Sequence, residues 1–439
     1  MPGASAGPEP DDTIVGVRLY DTFTRELVEL PPRPGPIRMY SCGPTVYRRI
    51  HVGNAVPFVL SMWLKRWLES TGYETKLVVN ITDINDKIYD AAPGASAQLA
   101  ADASHWYVED TARLGLGRPD VEPTAVETVG DQIRMIEELI EAGFAYESAG
   151  DVYFRVARFP EYGRLSGQRL DQVEEQEPNP RKEDHRDFAL WKANKPGEDT
   201  WWESPWGRGR PGWHIECSVM SEKHLGAEFE IHGGGLDLVF PHHENEIAQS
   251  RALGHPFAQL WMHNGMLRFA GEEMHKSVGN DISLKEALDR WGRETLLVFF
   301  LTGHWRKPLD YSDATLEAAA SRADRFRDVF RQSHEPAPDD AWERFAAALE
   351  DDFNTPAALA VMHEWRDHEL LRRALGVFGL ESLAEQEEAP PEVVELARRR
   401  QAAREARDFA EADRLRADIE ADGWEARDDP DGYRLVPRR

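Results

Sequence analysis

Residues 37–68 read IRMYSCGPTVYRRIHVGNAVPFVLSMWLKRWL. Ile37 to Cys42 alternate as a strand does, Gly43-Pro44 end it, and from Ala55 to Leu68 the apolar positions 56, 59, 60, 63 and 67, with 64 and 68, follow a helical period. The run TKLVVNI at 75–81 predicts the next strand. Strand, crossover helix and strand in this order form a βαβ unit with a parallel sheet, so a nucleotide-binding α/β domain is expected around this stretch.

Moving outward, the α/β character stops near residue 95. From 95 to 210 come a helix with apolar positions 133, 136, 140, 135 and 139 ending near Gly143, an alternating strand at Asp151–Val156, and a polar, Pro-rich stretch. This reads as an insertion. The α/β pattern resumes at 211–312, with strands at Phe229–Ile231 and Leu260–His263. Beyond Ser312 the pattern reads as helical throughout. Asn354-Thr355-Pro356 is a helix start, with capping side chains before a proline suited to the first turn. The break at Ala389-Pro390-Pro391 sets off the last helices. The expected fold is therefore a Rossmann-like parallel-sheet domain (17–94 and 211–312), interrupted by a connective insertion (95–210) and followed by an all-α domain (313–385) and a small C-terminal module (386–439). Residues 1–16 are Pro/Gly-rich and acidic, without a basic or apolar targeting segment, and are expected to be a disordered tail.

Length and composition agree with several folded domains: 439 residues, 41% hydrophobic and 30% charged. Apolar runs such as Leu296 to Leu301 are far below the ~20 residues of a membrane span. A cytoplasmic protein without membrane contact is expected. Two cysteines are too few for a disulfide framework. The net charge of −27 opposes nonspecific adhesion to nucleic acid, so any such contact must be local. Residues 398–439 offer a place for it, with 11 arginines against 11 acids, leaving the −27 to residues 1–397.

Four segments carry chemistry. Cys42, Cys217, His242 and Glu246 each offer a zinc donor, and His242 and Glu246, four apart at a helix begun by Pro241, share a face. HVGN, His51 to Asn54, lies between strand and helix, where a glycine and a helix N-terminus can receive a phosphate. Gly233 to Gly235 follow a strand and precede Asp237, a place for a base or ribose against bare backbone. Lys276, in EEMHKSVGN, could reach a triphosphate from a loop with Gly271 and Gly279 as hinges. Letter by letter, plainer readings stay open: buried structural cysteines, an ordinary His-Gly loop, a flexible glycine turn, a solvated lysine.

Taken together, MYSCGPTVYRRIHVGNA, NITDINDKI, GRPGWHIECSVM, EIHGGGLDLVFPHHENEIAQS and EDDFNTPAALAV resemble the cysteinyl-tRNA synthetase family of class I aminoacyl-tRNA synthetases, in the family's order and from about residue 17 onward. The resemblance implies that Cys42, Cys217, His242 and Glu246 hold one zinc that binds the substrate thiolate. It places Thr82, Trp213 and His232 around the bound L-cysteine. His51, Gly53 and Asn54 match the phosphate-holding HIGH-type motif, Gly233, Gly234, Gly235 and Asp237 the adenosine side, and Lys276 the second lysine of the KMSKS loop. His51, Asn54 and Lys276 are the implied catalytic groups. The implied reaction makes cysteinyl-adenylate from ATP, with its Mg2+, and then charges the 3′-terminal adenosine of tRNA(Cys), on a monomer whose domains 313–385 and 386–439 handle the tRNA.

The family's pattern is departed from where KMSKS reads Glu273-Met274-His275-Lys276-Ser277, where Val56 and Met62 replace the usual Arg and Asp, and where Tyr433-Arg434-Leu435 replaces a tryptophan after two small polar residues. Two neighbouring functions share much of the pattern. One is the mycothiol-pathway ligase that joins cysteine to an amino sugar; the other is a catalytically impaired synthetase paralogue that keeps cysteine or tRNA binding. Pyrophosphate exchange and tRNA charging separate the three.

Overall fold

The computed structural model describes residues 16–169, 178–269, 272–273, 282–385, 389–429 and 432–437. The chain divides into two compact units, Met1–Leu383 and Ala384–Arg439. Among the described residues, no helix is long and apolar enough to cross a membrane.

The first unit is built on four parallel strands, β1 (Pro36–Ser41), β2 (Glu74–Val79), β3 (Glu228–Gly235) and β4 (Phe257–Asn264), in the spatial order β4-β3-β1-β2. Helix α1 (Ala55–Ser70) makes the β1-to-β2 crossover, burying Phe58, Val59, Trp63, Leu64, Trp67 and Leu68. Helix α2 (Trp213–Leu225) precedes β3, and α3 (Glu244–Ala252) joins β3 to β4. From β1 the chain moves one way to β2 and later returns on the other side as β3. The crevice beyond the carboxyl ends of β1 and β3 is thus a topological switch point, the usual ligand position in an open α/β sheet. Cys42 follows β1 directly, its N–H donating to Gly233 O at 3.0 Å.

Between β2 and α2 lie the helices Asp86–Ala91, Ser96–Ala112 and Val129–Glu141 and an antiparallel sheet of Ala145–Ser148, Asp151–Phe154, Phe188–Ala193 and Gly209–Pro211. One continuous apolar core runs from this sheet (Phe154, Phe188, Leu190) to Cys42, Ile215 and Cys217. The face that holds the cysteines is therefore packed from behind.

After β4, Leu267–Phe269 pairs in parallel with Leu309–Tyr311. The helix Leu284–Leu301 opens with a capping box at Ser283 and Glu286. Helices Asp313–Phe330, Ala341–Glu350, Thr355–Met362 and His368–Val377 follow, and the Asn354 side chain caps the third of these at Ala357 N–H.

The second unit pairs helices Pro391–Glu405 and Phe409–Ala421 with a hairpin, Trp424–Asp429 against Gly432–Pro437. The expectation of helix throughout beyond Ser312 is corrected here. Trp424 and Ala426 alternate inward onto Val393, Ala397 and Ile419, a two-residue period that a helix cannot satisfy.

Candidate active site and metal centre

The helix expected to begin at Pro241 begins instead at Glu244. Residues Val239–His243 form a wider irregular turn in which Phe240 is extended (φ −138°, ψ 134°). The turn still delivers His242 to Glu246, Nε2 to Oε1 3.1 Å, with both side chains buried. Cys42 at the end of β1 and Cys217 in the second turn of α2 complete the set. Their sulfurs are 3.7 Å apart, and Cys42 Sγ is 3.7 Å from Glu246 Oε1. Tetrahedral zinc with bonds of about 2.3 Å to sulfur separates two thiolates by about 3.8 Å, so this spacing fits one shared ion. One donor atom from each of the four lies within 4.8 Å of the others. The thiols are not joined in a disulfide.

A second quartet, Cys42, His232, His243 and Glu246, satisfies the same distances. His243 was not singled out in the sequence. Its Nε2 is 3.3 Å from Cys42 Sγ, while its Nδ1 lies 2.7 Å from His263 Nε2, and His263 Nδ1 lies 2.9 Å from the Thr22 hydroxyl. The signal was present: His243 is three residues before Glu246, a spacing that can bring two side chains to one side of the chain. His232 Nε2 is 2.9 Å from Glu246 Oε2, with its ring stacked on Trp261 at 4.5 Å. His214 Nδ1 approaches His242 Nδ1 at 2.9 Å. Burial lowers the protonation of His214, His232, His242 and His243, leaving neutral imidazoles, the form that binds metals. Burial likewise pushes the Cys42 thiol well up, reinforced by Cys217 and Glu246, and raises Glu246 to about 7. These shifts belong to the protein alone; a bound dication would reverse those of the Cys42 thiol and the Glu246 carboxylate.

Trp213, the first residue of α2, stacks on His242 with ring centres 4.2 Å apart. Thr82 is buried, accepts from Asn80 Nδ2 at 3.0 Å, and its N–H donates to Pro44 O at 3.2 Å, beside Cys42. Glu216 is fully buried with neither carboxylate oxygen hydrogen-bonded among the described residues; burial, then Cys217 and Asp83, push its carboxyl well above the usual range. Trp213 and His232 therefore touch His242 and Glu246 of the four-donor set, and Thr82 is bonded to the backbone two residues beyond Cys42.

His51 precedes a short turn, Val52–Asn54, that runs into α1. The turn is tied down by Val52 N–H to Ile282 O (2.9 Å) and Leu284 N–H to Ile50 O (2.8 Å). The three glycines are not a loose loop but the last residues of β3, in register with Ser41 on one side and Met262 to Asn264 on the other. A Cβ on Gly234 would come within 2.8 Å of His243 Cε1, so glycine is what lets that ring reach Cys42. Asp237 leaves on the following turn, Leu236–Leu238, and is exposed. Lys276, Met274, His275, Gly271 and Gly279 lie outside the described residues, and of Glu273 only the main chain is described.

The parallel sheet with its glycine strand end at the switch-point crevice is shared with the class I aminoacyl-tRNA synthetases, the class to which this chain belongs. Residues 29–321 match the family model of the class I (C) tRNA synthetase catalytic domain, and residues 344–368 match the DALR domain. Methionyl-tRNA synthetase of Mycobacterium tuberculosis bound to methionyl-adenylate shares the fold, with a TM-score of 0.58 at 13% identity over 79% of this chain and 88% of that one. A leucyl-tRNA synthetase ternary complex from Agrobacterium radiobacter gives 0.55 at 11% identity, covering 81% and 83%. Within that class the chain belongs to the cysteine–tRNA ligase family. It is 42% identical to the cysteine–tRNA ligase of Symbiobacterium thermophilum, covering 96% of this chain and 99% of that protein. It is 43% identical to that of Methylobacillus flagellatus, covering 95% and 98%.

Proposed function

We propose that this protein activates L-cysteine with ATP and transfers it to the 3′-terminal adenosine of tRNA(Cys), selecting cysteine through a zinc held by Cys42, Cys217, His242 and Glu246. The observation that carries the reading is the convergence of those four buried donors, with Cys42 N–H bonded to Gly233 O at the glycine end of β3. Of the two overlapping quartets, this one uses both sulfurs, while His243 is already oriented by His263. When bound, zinc supplies a soft Lewis acid that prefers a thiolate to a hydroxyl, a discrimination that apolar contacts cannot make strongly.

The protein's own groups do the rest. Trp213, stacked on His242, and buried Thr82 close the sides of the amino-acid pocket and orient its backbone. His51, Gly53 and Asn54 meet the phosphates at the N-terminus of α1, where the helix dipole favours negative charge. Gly233, Gly234, Gly235 and Asp237 take the adenosine side. His51, Asn54 and, from its loop, Lys276 stabilise charge on the α-phosphate and departing pyrophosphate while the cysteine carboxylate attacks. Mg2+ arrives with ATP. We assign 17–94 and 211–312 to catalysis, 95–210 to the connective insertion, and 313–385 and 386–439 to tRNA binding, in a cytoplasmic monomer.

The test is cysteine-dependent pyrophosphate exchange and charging of total bacterial tRNA on zinc-quantified protein, with serine and amino-sugar controls. Cysteine-specific, zinc-dependent charging is expected. Exchange without charging would transfer the reading to the amino-sugar ligase or to a synthetase with a defective tRNA-binding end, and absence of exchange would favour the impaired paralogue.

A further inference from the structure

Asp351-Asp352-Phe353-Asn354 joins the helices 341–350 and 355–362. Asp352 and Phe353 both have positive φ, 60° and 46°. Two consecutive side-chain-bearing residues persist in that region only when their surroundings hold them there. Asp352 is 5% exposed, and its polar groups are engaged on every side. Oδ1 accepts from Tyr20 N–H (2.9 Å), Oδ2 from Arg306 Nε (2.7 Å), and the carbonyl from the Trp305 indole N–H (2.7 Å). Its own N–H donates to Arg18 O (2.9 Å). Arg306 also lies over the Tyr20 ring at 4.3 Å, and Thr355 donates to Gly303 O at 3.3 Å. One residue thus clamps the 303–308 loop to Arg18–Tyr20.

That loop buttresses the crevice. Gly265 N–H donates to Trp305 O (2.7 Å), and Leu309 N–H to Met266 O (3.1 Å). A Cβ on Gly265 would lie 2.3 Å from Lys307 O, so the two backbones are in direct contact. Residues 264–267 in turn span the nucleotide side. Asn264 is in register with Gly235, and Leu267 Cβ lies 3.7 Å from the Cβ position of Gly53. Displacement of the 303–308 loop therefore moves the segment between the phosphate-binding turn and the glycine strand end, while the four-donor set sits after β1, on α2, on the 239–243 turn and on α3, joined to Thr22 through His243 and His263.

We propose that Asp352 is a positioning residue for ATP: acting through Trp305 and Gly265, it sets the separation of Gly53 and Gly235 across which the nucleotide is held. This rests on the nucleotide reading of those loops given above. A misplacement of about 1 Å can cost on the order of 100-fold in rate, so a partial loss of support should be readily measured.

The experiment uses the full-length, zinc-loaded enzyme in cysteine-dependent pyrophosphate exchange, comparing wild type with Asp352→Asn, Asp352→Ala and Trp305→Phe. Asparagine keeps an acceptor for Tyr20 but removes the charge facing Arg306; phenylalanine removes the indole donor together with part of the buried ring. At a temperature where circular dichroism shows native structure, kcat/KM for ATP should fall about 10-fold in Asp352→Asn. Trp305→Phe should fall in the same direction by less, with the KM for cysteine and the zinc content within twofold of wild type. The inference is overturned if ATP parameters stay within twofold in both milder variants, or if ATP and cysteine parameters decline together, as general loosening would cause. Should Asp352→Ala not fold, Asp352→Asn and Trp305→Phe decide the matter. If wild type itself shows no exchange, the catalytic reading fails separately, and ATP affinity by titration calorimetry on the same variants applies the same criterion.

Discussion

Cys217→Ser isolates one donor of the buried set. Cys217 is 1% exposed and its sulfur lies 3.7 Å from that of Cys42, so the substitution changes the inside of a closed site. A hydroxyl sits on a shorter bond, withdraws its oxygen from the centre and keeps its proton at neutral pH, which makes it a poor partner for zinc. Four-donor zinc sites bind with about 10–16 kcal/mol, so an even share is about 3 kcal/mol per donor. At 1.4 kcal/mol per factor of ten, the expected loss of zinc affinity is about 100-fold. Competition against a chromogenic chelator measures it, with metal content by elemental analysis. The KM for cysteine should rise in parallel, and discrimination against serine should fall. A Cys217→Ser protein that retains one equivalent of zinc, with an affinity within threefold of wild type, would show that Cys217 is not a ligand.

Three further outcomes are expected. Gly234→Ala places a Cβ 2.8 Å from His243 and 3.0 Å from Leu238, which should cost about 1–3 kcal/mol by overpacking and raise the KM for cysteine; thermal melts and exchange kinetics check both. Zinc uptake by metal-free protein should release protons, because burial holds the Cys42 thiol protonated and raises Glu246 to about 7. Apparent zinc affinity should therefore climb as pH rises through about 7, and calorimetry in buffers of different ionisation enthalpy counts the protons. Asp21→Ala strips the acceptor from the N–H groups of Phe23 (3.1 Å), Thr24 (2.8 Å) and Trp261 (2.8 Å) at a fully buried position. It should lower stability by about 2–4 kcal/mol, read from the urea midpoint.

Local pattern carried the parallel core. The alternation at 37–42, the helical period at 55–68 and the run at 75–81 correspond to β1, α1 and β2 to within two residues, because a half-buried strand and an amphipathic helix write their periods into adjacent letters. The capped start at Asn354 was equally legible, since capping is a contact between residues three apart. The final hairpin was not: its inward positions are defined only by helices packed against it, and neighbouring arginines and acids mask the two-residue period.

For the site, the amino-acid sequence alone determined the donor chemistry and, through its resemblance to known synthetases, the set Cys42, Cys217, His242 and Glu246. Whether the two sulfurs meet is a question of tertiary structure, because 175 residues separate them and only the β1-β3 register and the α2 packing bring them to 3.7 Å. The same holds for the chain from Cys42 through His243 and His263 to Thr22, and for the clasp at Asp352. Each links groups far apart in the chain, and no local propensity records such a contact. Local sequence chose the elements and the reactive side chains; the closing of the sheet at its switch point decided which of them share a volume small enough for one ion.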